Sequence, residues 1–346
     1  MSEVKQYMSQ IIGNNELKSR LCRDISSNSL SHAYIFEGPT GSGRRSLALL
    51  CAAAMACEHK HDKFASMPCM ECISCKKILE RKSPDVIFIN REEKATIGVD
   101  ATRFLKEDVH IIPNDLEQKF YIIEEADKMT DYAQNALLLT LEEPPSFVHF
   151  FLISNNATSL LETIRSRAPT LRTEPIADEQ IDEYISVHDR RAAQMKLSSP
   201  EEYRELIKAS DMSIGKALSL LEPKAWNTVY ELRNFTKAFI DAAVSKRGSS
   251  EILSLLTTLW GKREIVNERL PLILSAVRDL ILIKKSDDAS LCFYANKDEA
   301  IELCDKVSIA FLYSLEEAIA NALSENQRNS SVKLLTTKMA VSASLI

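Results

Sequence analysis

"FEGPTGSGRRS", residues 36–46, is the stretch whose reading decides the fold. A loop of the pattern G-x-x-x-x-G-K-[ST] cradles phosphate with its backbone N–H groups, aided by the N-terminus of the following helix. Gly38, Gly41 and Gly43 supply the glycines. "AYIF" (33–36) reads as a strand running into the loop, and "SLALLCAAAMAC" (46–57) as the helix leaving it. The strand–turn–helix context is therefore present. The two chemical groups are not. Arg44 stands where the lysine should reach the phosphates, and Arg45 where a hydroxyl should hold Mg²⁺. An arginine keeps the charge but has a larger, planar head. A cation at position 45 offers no oxygen to a metal and repels one. Ser46 comes one residue too late, rotated about 100° around the helix.

Outward from the loop, strand and helix signals alternate. "DVIFIN" (85–90), "KFYIIEEAD" (119–127) and "VHFFLISN" (148–155) are continuous apolar runs, which suit strands buried on both faces. Between them the spacing predicts helices over 99–112, with Asp100 as N-cap, and over 130–143, capped by Thr130 and stopped by Pro144 and Pro145. A further helix is expected at 160–167. The pattern predicts an α/β domain with a parallel, P-loop-type sheet over residues 1–175. A small helical lid domain is expected at 176–223, with short helices at 177–188, 199–210 and 213–221. Residues 224–346 read as an all-helical domain with long helices near 229–247, two within 250–284, and one over 299–326. The connections fall at 245–250 and 284–290.

The third strand ends in acids, as the second half of a nucleotide site requires. Glu124 falls at the metal-binding position and Glu125 at the water-activating one. The other reading is that both are solvated charges at a strand end.

"CEHKHDKFASMPCMECISC" (57–75) carries Cys57, Cys69, Cys72 and Cys75. Four thiolates suit a closed, tetrahedral structural Zn²⁺ site. His59 or His61 are alternatives to Cys57 as fourth ligand, and an iron–sulfur cluster is an alternative metal group. Cys22, Cys51, Cys292 and Cys304 lie in apolar contexts and are expected in helical cores.

The net charge of −6 argues against a chain that grips nucleic acid strongly by itself. There is no apolar run of membrane-spanning length, and "MSEVKQYMSQ" (1–10) lacks an apolar signal core, so a cytoplasmic location is expected.

Taken in order, "IIGNNELKSRL", "SHAYIFEGPTGSG", "CMECISC", "SPDVIFI", "IGVDATRFL", "NALLLTLEEPP", "FFLISNNATSLLETIRSR" and "SIGKAL" resemble one family. It is the bacterial clamp-loader subunits of the DNA polymerase III holoenzyme, members of the AAA+ class. The resemblance covers about residues 8–222. It implies that Ser166-Arg167 is an arginine-finger motif reaching the ATP of an adjacent subunit. It implies that Asn155 or Asn156 senses the γ-phosphate. It places Gly215 and Lys216 where ATPase members carry an arginine and an aspartate. It assigns the four cysteines to a zinc module, and the last domain to an oligomerising collar. The implied partners are gamma/tau and delta subunits in a hetero-oligomer, with the sliding clamp and primed DNA reached through the complex. With three phosphate- or metal-holding groups missing, the expectation is a subunit without its own ATPase. Binding of ATP or ADP without hydrolysis stays open at this stage. Two other readings remain: an ATP-hydrolysing gamma/tau-type subunit, and a stand-alone zinc-containing nucleic-acid-binding protein.

Overall fold

A computed structural model describes residues 8, 11–27, 29–62, 67–91, 94–245, 249–260, 263–286, 290–328 and 330–345. The chain divides into two compact units. The first comprises Met1–Gln180 with Ser213–Gly215, the second Ile181–Met212 with Lys216–Ile346.

The first unit is built on five parallel strands: β1 (Ala33–Glu37), β2 (Val86–Ile89), β3 (Lys119–Ile123), β4 (Val148–Ser154) and β5 (Thr170–Arg172). Their order is β2-β3-β4-β1-β5. Its helices are α1 (Asn15–Ser26), α2 (Arg44–Met55), α3 (Ile73–Leu79), α4 (Val99–Asp108), α5 (Asp131–Glu142) and α6 (Glu162–Arg165).

Alternate strand residues feed two separate cores. Tyr34, Phe36, Phe120, Ile122, Phe151 and Ile153 pack with α1, α2 and α3 on one face. Ala33, Ile35, Tyr121, Ile123, Phe150 and Leu152 pack with α4, α5 and α6 on the other. Period-two alternation is what carries successive side chains to opposite faces. With both faces covered, β3 and β4 are buried along their whole length, hence their unbroken apolar runs. The loop residues that concern function all leave the carboxyl ends of these strands.

Local sequence explains most element ends. Thr130 accepts a hydrogen bond from the Ala133 N–H and caps α5 as expected. The N-cap of α4 is Gly98, not Asp100; Asp100 lies in the first turn, where its charge still suits the helix dipole. That helix stops at Asp108 rather than 112, and β3 stops at Ile123 rather than running to 127. Glu125 adopts a left-handed conformation, with φ 52°, which no strand continues through.

The second unit is helical. Its helices include α7 (Asp178–His188), α8 (Arg190–Ser198), α9 (Pro200–Ala209) and α10 (Ile214–Leu220), whose first residues belong to the first unit. Then come α11 (Pro223–Val244), α12 (Ser249–Thr257), α13 (Arg263–Lys285), α14 (Lys297–Asp305), α15 (Ile309–Gln327) and α16 (Val332–Leu345). One large apolar core joins α11 to α16. The run 299–326 holds two helices and not one, because the Ser308 side chain accepts from the Phe311 N–H and starts α15 anew. Parts of the expected connections, 246–248 and 287–289, lie outside the described residues. Cys292 is exposed and outside any helix, against its expected place in a core; Cys22, Cys51 and Cys304 are buried. Among the described residues, no helix is long and apolar enough to cross a membrane.

Candidate functional site

The glycine loop joins β1 to α2 at the carboxyl edge of the sheet. A Cβ at Gly38 would meet Thr173 Oγ1 at 2.0 Å, so any larger residue displaces the loop or the end of β5. Gly43 caps α2 in a left-handed conformation, with φ 83°. Ser42 is buried, its Oγ 2.8 Å from Thr173 Oγ1. At position 215, carried with the first unit, an added Cβ would sit 3.3 Å from the Cα and carbonyl oxygen of Gly41. Gly215 thus lies close on the backbone of the glycine loop.

Arg44 is 8% exposed, and its Nη2 donates to Asn155 Oδ1 at 2.8 Å. Thr40 Oγ1 donates to the same oxygen at 3.0 Å. Asn155 is held in turn by Asp127, whose carboxylate accepts from the Asn155 backbone N–H at 3.2 Å and from its Nδ2 at 3.3 Å. Burial pushes the Arg44 guanidinium below its ordinary range, while the Asp127 charge pulls it back up. Asn156 turns away and accepts from the Thr158 N–H at 2.9 Å.

Arg45 forms an ion pair with Glu124. The glutamate is 5% exposed, and its other oxygen, Oε1, is buried without a hydrogen-bond partner among the described residues. Burial is the main influence lowering the Arg45 pKa; Arg81 adds to it and Glu125 opposes it. Glu125 pairs with Arg91, whose Nε donates to Oε2 at 2.7 Å. Both acids are therefore paired, Glu124 buried and Glu125 at the surface.

The structure thus brings Gly38, Gly41, Gly43, Arg44, Arg45, Glu124, Glu125 and Asn155 to one rim. Sequence reasoning missed Arg91, Asp127, Thr40 and Thr173. Asp127 stood in the quoted run "EEAD", but only the fold shows that it positions Asn155. Arg91 carried no signal of its own.

Arg167 follows α6, apart from these contacts. Its Nη2 donates to Glu142 Oε1 at 2.7 Å and its Nη1 to the Thr163 carbonyl at 2.9 Å.

The four cysteines converge. Cys57 follows α2, Cys72 is the N-cap of α3, and Cys75 lies in its first turn. The four sulfurs lie within 4.8 Å of one another. The Cys72 N–H donates to Cys69 Sγ, and the Cys75 N–H to Cys72 Sγ, each at 3.4 Å. A hydrogen bond from Cys75 holds the Cys57 thiol down to about 5, against the effect of its burial. The gathered set contains Cys57 and neither His59 nor His61. Four sulfurs with backbone N–H support form a donor set that can hold a metal ion.

Comparison with known proteins adds the lineage. Residues 13–177 match the family described as DNA polymerase III, delta subunit. The chain is 33% identical over 218 residues to the DNA polymerase III subunit tau of Bacillus subtilis, covering 63% of this chain and 37% of that protein. It is 32% identical over 212 residues to the subunit delta' of the same organism, covering 59% and 63%. With the tau/gamma subunit of Haemophilus influenzae it shares 32% over 212 residues, 61% of this chain and 30% of that one. The chain spans about a third of the length of the tau-type relatives it matches. The parallel sheet and its glycine loop fall within the matched residues 13–177, where the chain is similar to clamp-loader subunits of DNA polymerase III, members of the AAA+ class.

Proposed function

We propose that the chain is a clamp-loader subunit of the delta-prime type: an AAA+ subunit that hydrolyses no ATP and serves the ATPase of its neighbours. The observation that carries this is the Arg45–Glu124 ion pair. The acid that would share in holding Mg²⁺ is bound by the residue that replaced the metal's hydroxyl ligand. Arg44 is likewise committed to Asn155, the γ-phosphate-sensing position of the resemblance.

Arg167 supplies the function in this reading. Presented to an adjacent subunit, its guanidinium offsets charge that develops on the transferring phosphoryl group. Within this chain it is paired with Glu142 at the surface. Exposed pairs of this kind contribute about 0–1 kcal/mol, so releasing Arg167 to a neighbour costs little. The proposed partners are gamma/tau-type and delta-type subunits in a cytoplasmic hetero-oligomer, with the sliding clamp and primed DNA reached through the complex. Residues 176–223 act as the lid and 224–346 as the collar. The metal is a structural Zn²⁺ on Cys57, Cys69, Cys72 and Cys75.

The test is ATP turnover, first by the isolated chain and then by the reconstituted complex. The reading expects none from the chain alone and an Arg167-dependent rate from the complex. A second reading, a gamma/tau-type ATPase, draws on the tau relatives and on the retained acids Glu124 and Glu125. Turnover by the chain alone that disappears in Glu125→Gln would establish it instead.

A further inference from the structure

We propose that Arg44 and Arg45 form an internal lock that takes over the structural work of a bound magnesium nucleotide. The inference rests on the reading of this chain as a non-hydrolysing AAA+ subunit and concerns what its silent pocket does. In a working site of this kind the ligand joins the loop to the acid strand and the sensor strand. Here side chains make those joins. Arg45 ties the first turn of α2 to Glu124 at the end of β3. Arg44 ties the same turn to Asn155 at the end of β4.

Around these two arms the remaining polar groups are also taken. Asp127 fixes Asn155 from behind, Arg91 occupies Glu125, and Ser42 meets Thr173 beyond β5. Gly215 lies against Gly41, where an added Cβ would press on the loop backbone at 3.3 Å. A buried guanidinium and a buried carboxylate are each costly without a partner. Arg44 and Glu124 are both buried, whereas Arg45 and Asn155 are exposed, so each arm supplies one buried charge with a partner at the rim. Among the described residues, Glu124 Oε1 has no hydrogen-bond partner of its own. A magnesium ion entering between these groups meets two fixed cations and must strip Glu124 from Arg45. The chain's own side chains thus hold the loop to both strand ends.

The experiment is thermal unfolding of the isolated full-length chain. Arg45→Ala and Glu124→Gln should each lower the midpoint by roughly 2–4 °C. The double variant should fall no further than the worse single, because both remove one interaction. Magnesium-ATP should leave the wild type unmoved and raise the midpoint of Arg44→Lys/Arg45→Thr. If that double variant does not fold, Arg45→Thr alone takes its place.

Additive losses in the cycle overturn the lock. So does a wild-type midpoint that rises with magnesium-ATP as much as the variant's. No rise in the folded variant overturns the claim that the arginines bar the site. None of these results touches the role proposed for Arg167, which is read in the assembled complex. Conversely, a complex indifferent to Arg167 would leave the lock standing.

Discussion

Arg44 Nη2 and Asn155 Oδ1 stand 2.8 Å apart, so the loop position that should grasp phosphate and the strand-end position that should sense it grasp each other. In the proposed reading neither is left to recognise a nucleotide. The isolated chain is therefore expected to show no ATP turnover above background, and Glu125→Gln is expected to change nothing. A steady-state phosphate-release assay checks this, with turnover by the wild type as the contrary result.

Arg167→Ala is expected to leave the fold intact. The lost pair with Glu142 is a surface pair, and the midpoint of unfolding should move by no more than about 1 kcal/mol equivalent. In the reconstituted complex the DNA-dependent ATPase rate should drop by about 10³-fold or more. Glu142→Gln frees Arg167 without removing it and should retain the rate. A complex unaffected by Arg167→Ala ends the finger assignment.

Elemental analysis of the purified chain should find one zinc per molecule. Replacing Cys72 and Cys75 together with serine should abolish it and loosen α3, whose N-cap and first turn those residues form. A cysteine-depleted protein that melts and assembles like the wild type would make the cluster dispensable.

Acid should destabilise the first unit through His149. This imidazole is buried in β4 and stacked on Phe120 with ring centroids 5.6 Å apart. Burial pushes its pKa from 6.5 down to about 4; His32 lowers it further, and the Ser31 backbone raises it. The folded form therefore keeps the ring neutral where the unfolded chain takes up a proton. Stability from this residue is full above pH of about 6.5, is lost as pH falls towards about 4, and then levels off. The slope within that window is up to about 1.4 kcal/mol per pH unit. His149→Phe should flatten it, measured as the difference between variant and wild-type unfolding across that range. Parallel curves would show that the ring does not govern the response.

Much of the first unit was legible because its signals are local. Unbroken apolar runs marked β1 to β4, and Thr130 marked the start of α5. β5 was missed because three residues carry no periodicity, and its place depends on pairing with β1. α8 was missed because its sequence, "RRAAQMKLS", has a mean composition too polar to stand out from a loop. The cysteine cluster was legible from spacing, whereas Cys292 was misplaced because apolar neighbours do not fix which way one residue points. At the rim, the glycines and acids showed where a pocket lies. The contacts of Arg91 with Glu125 and of Asp127 with Asn155 join residues 34 and 28 positions apart. No motif encodes such pairings, which arise only when strand ends are set side by side.

The two apolar layers of the parallel sheet carry a wider consequence. Each strand commits its interior residues to one layer or the other, and the catalytic-type positions begin where those strands finish. Sensitivity to mutation should thus be zoned along every strand. Changes midway strike the apolar core, and changes past the tip strike the polar contacts of the rim. A lineage built on this scaffold can surrender catalysis and keep its architecture, becoming a passive member of an assembly in which others do the work.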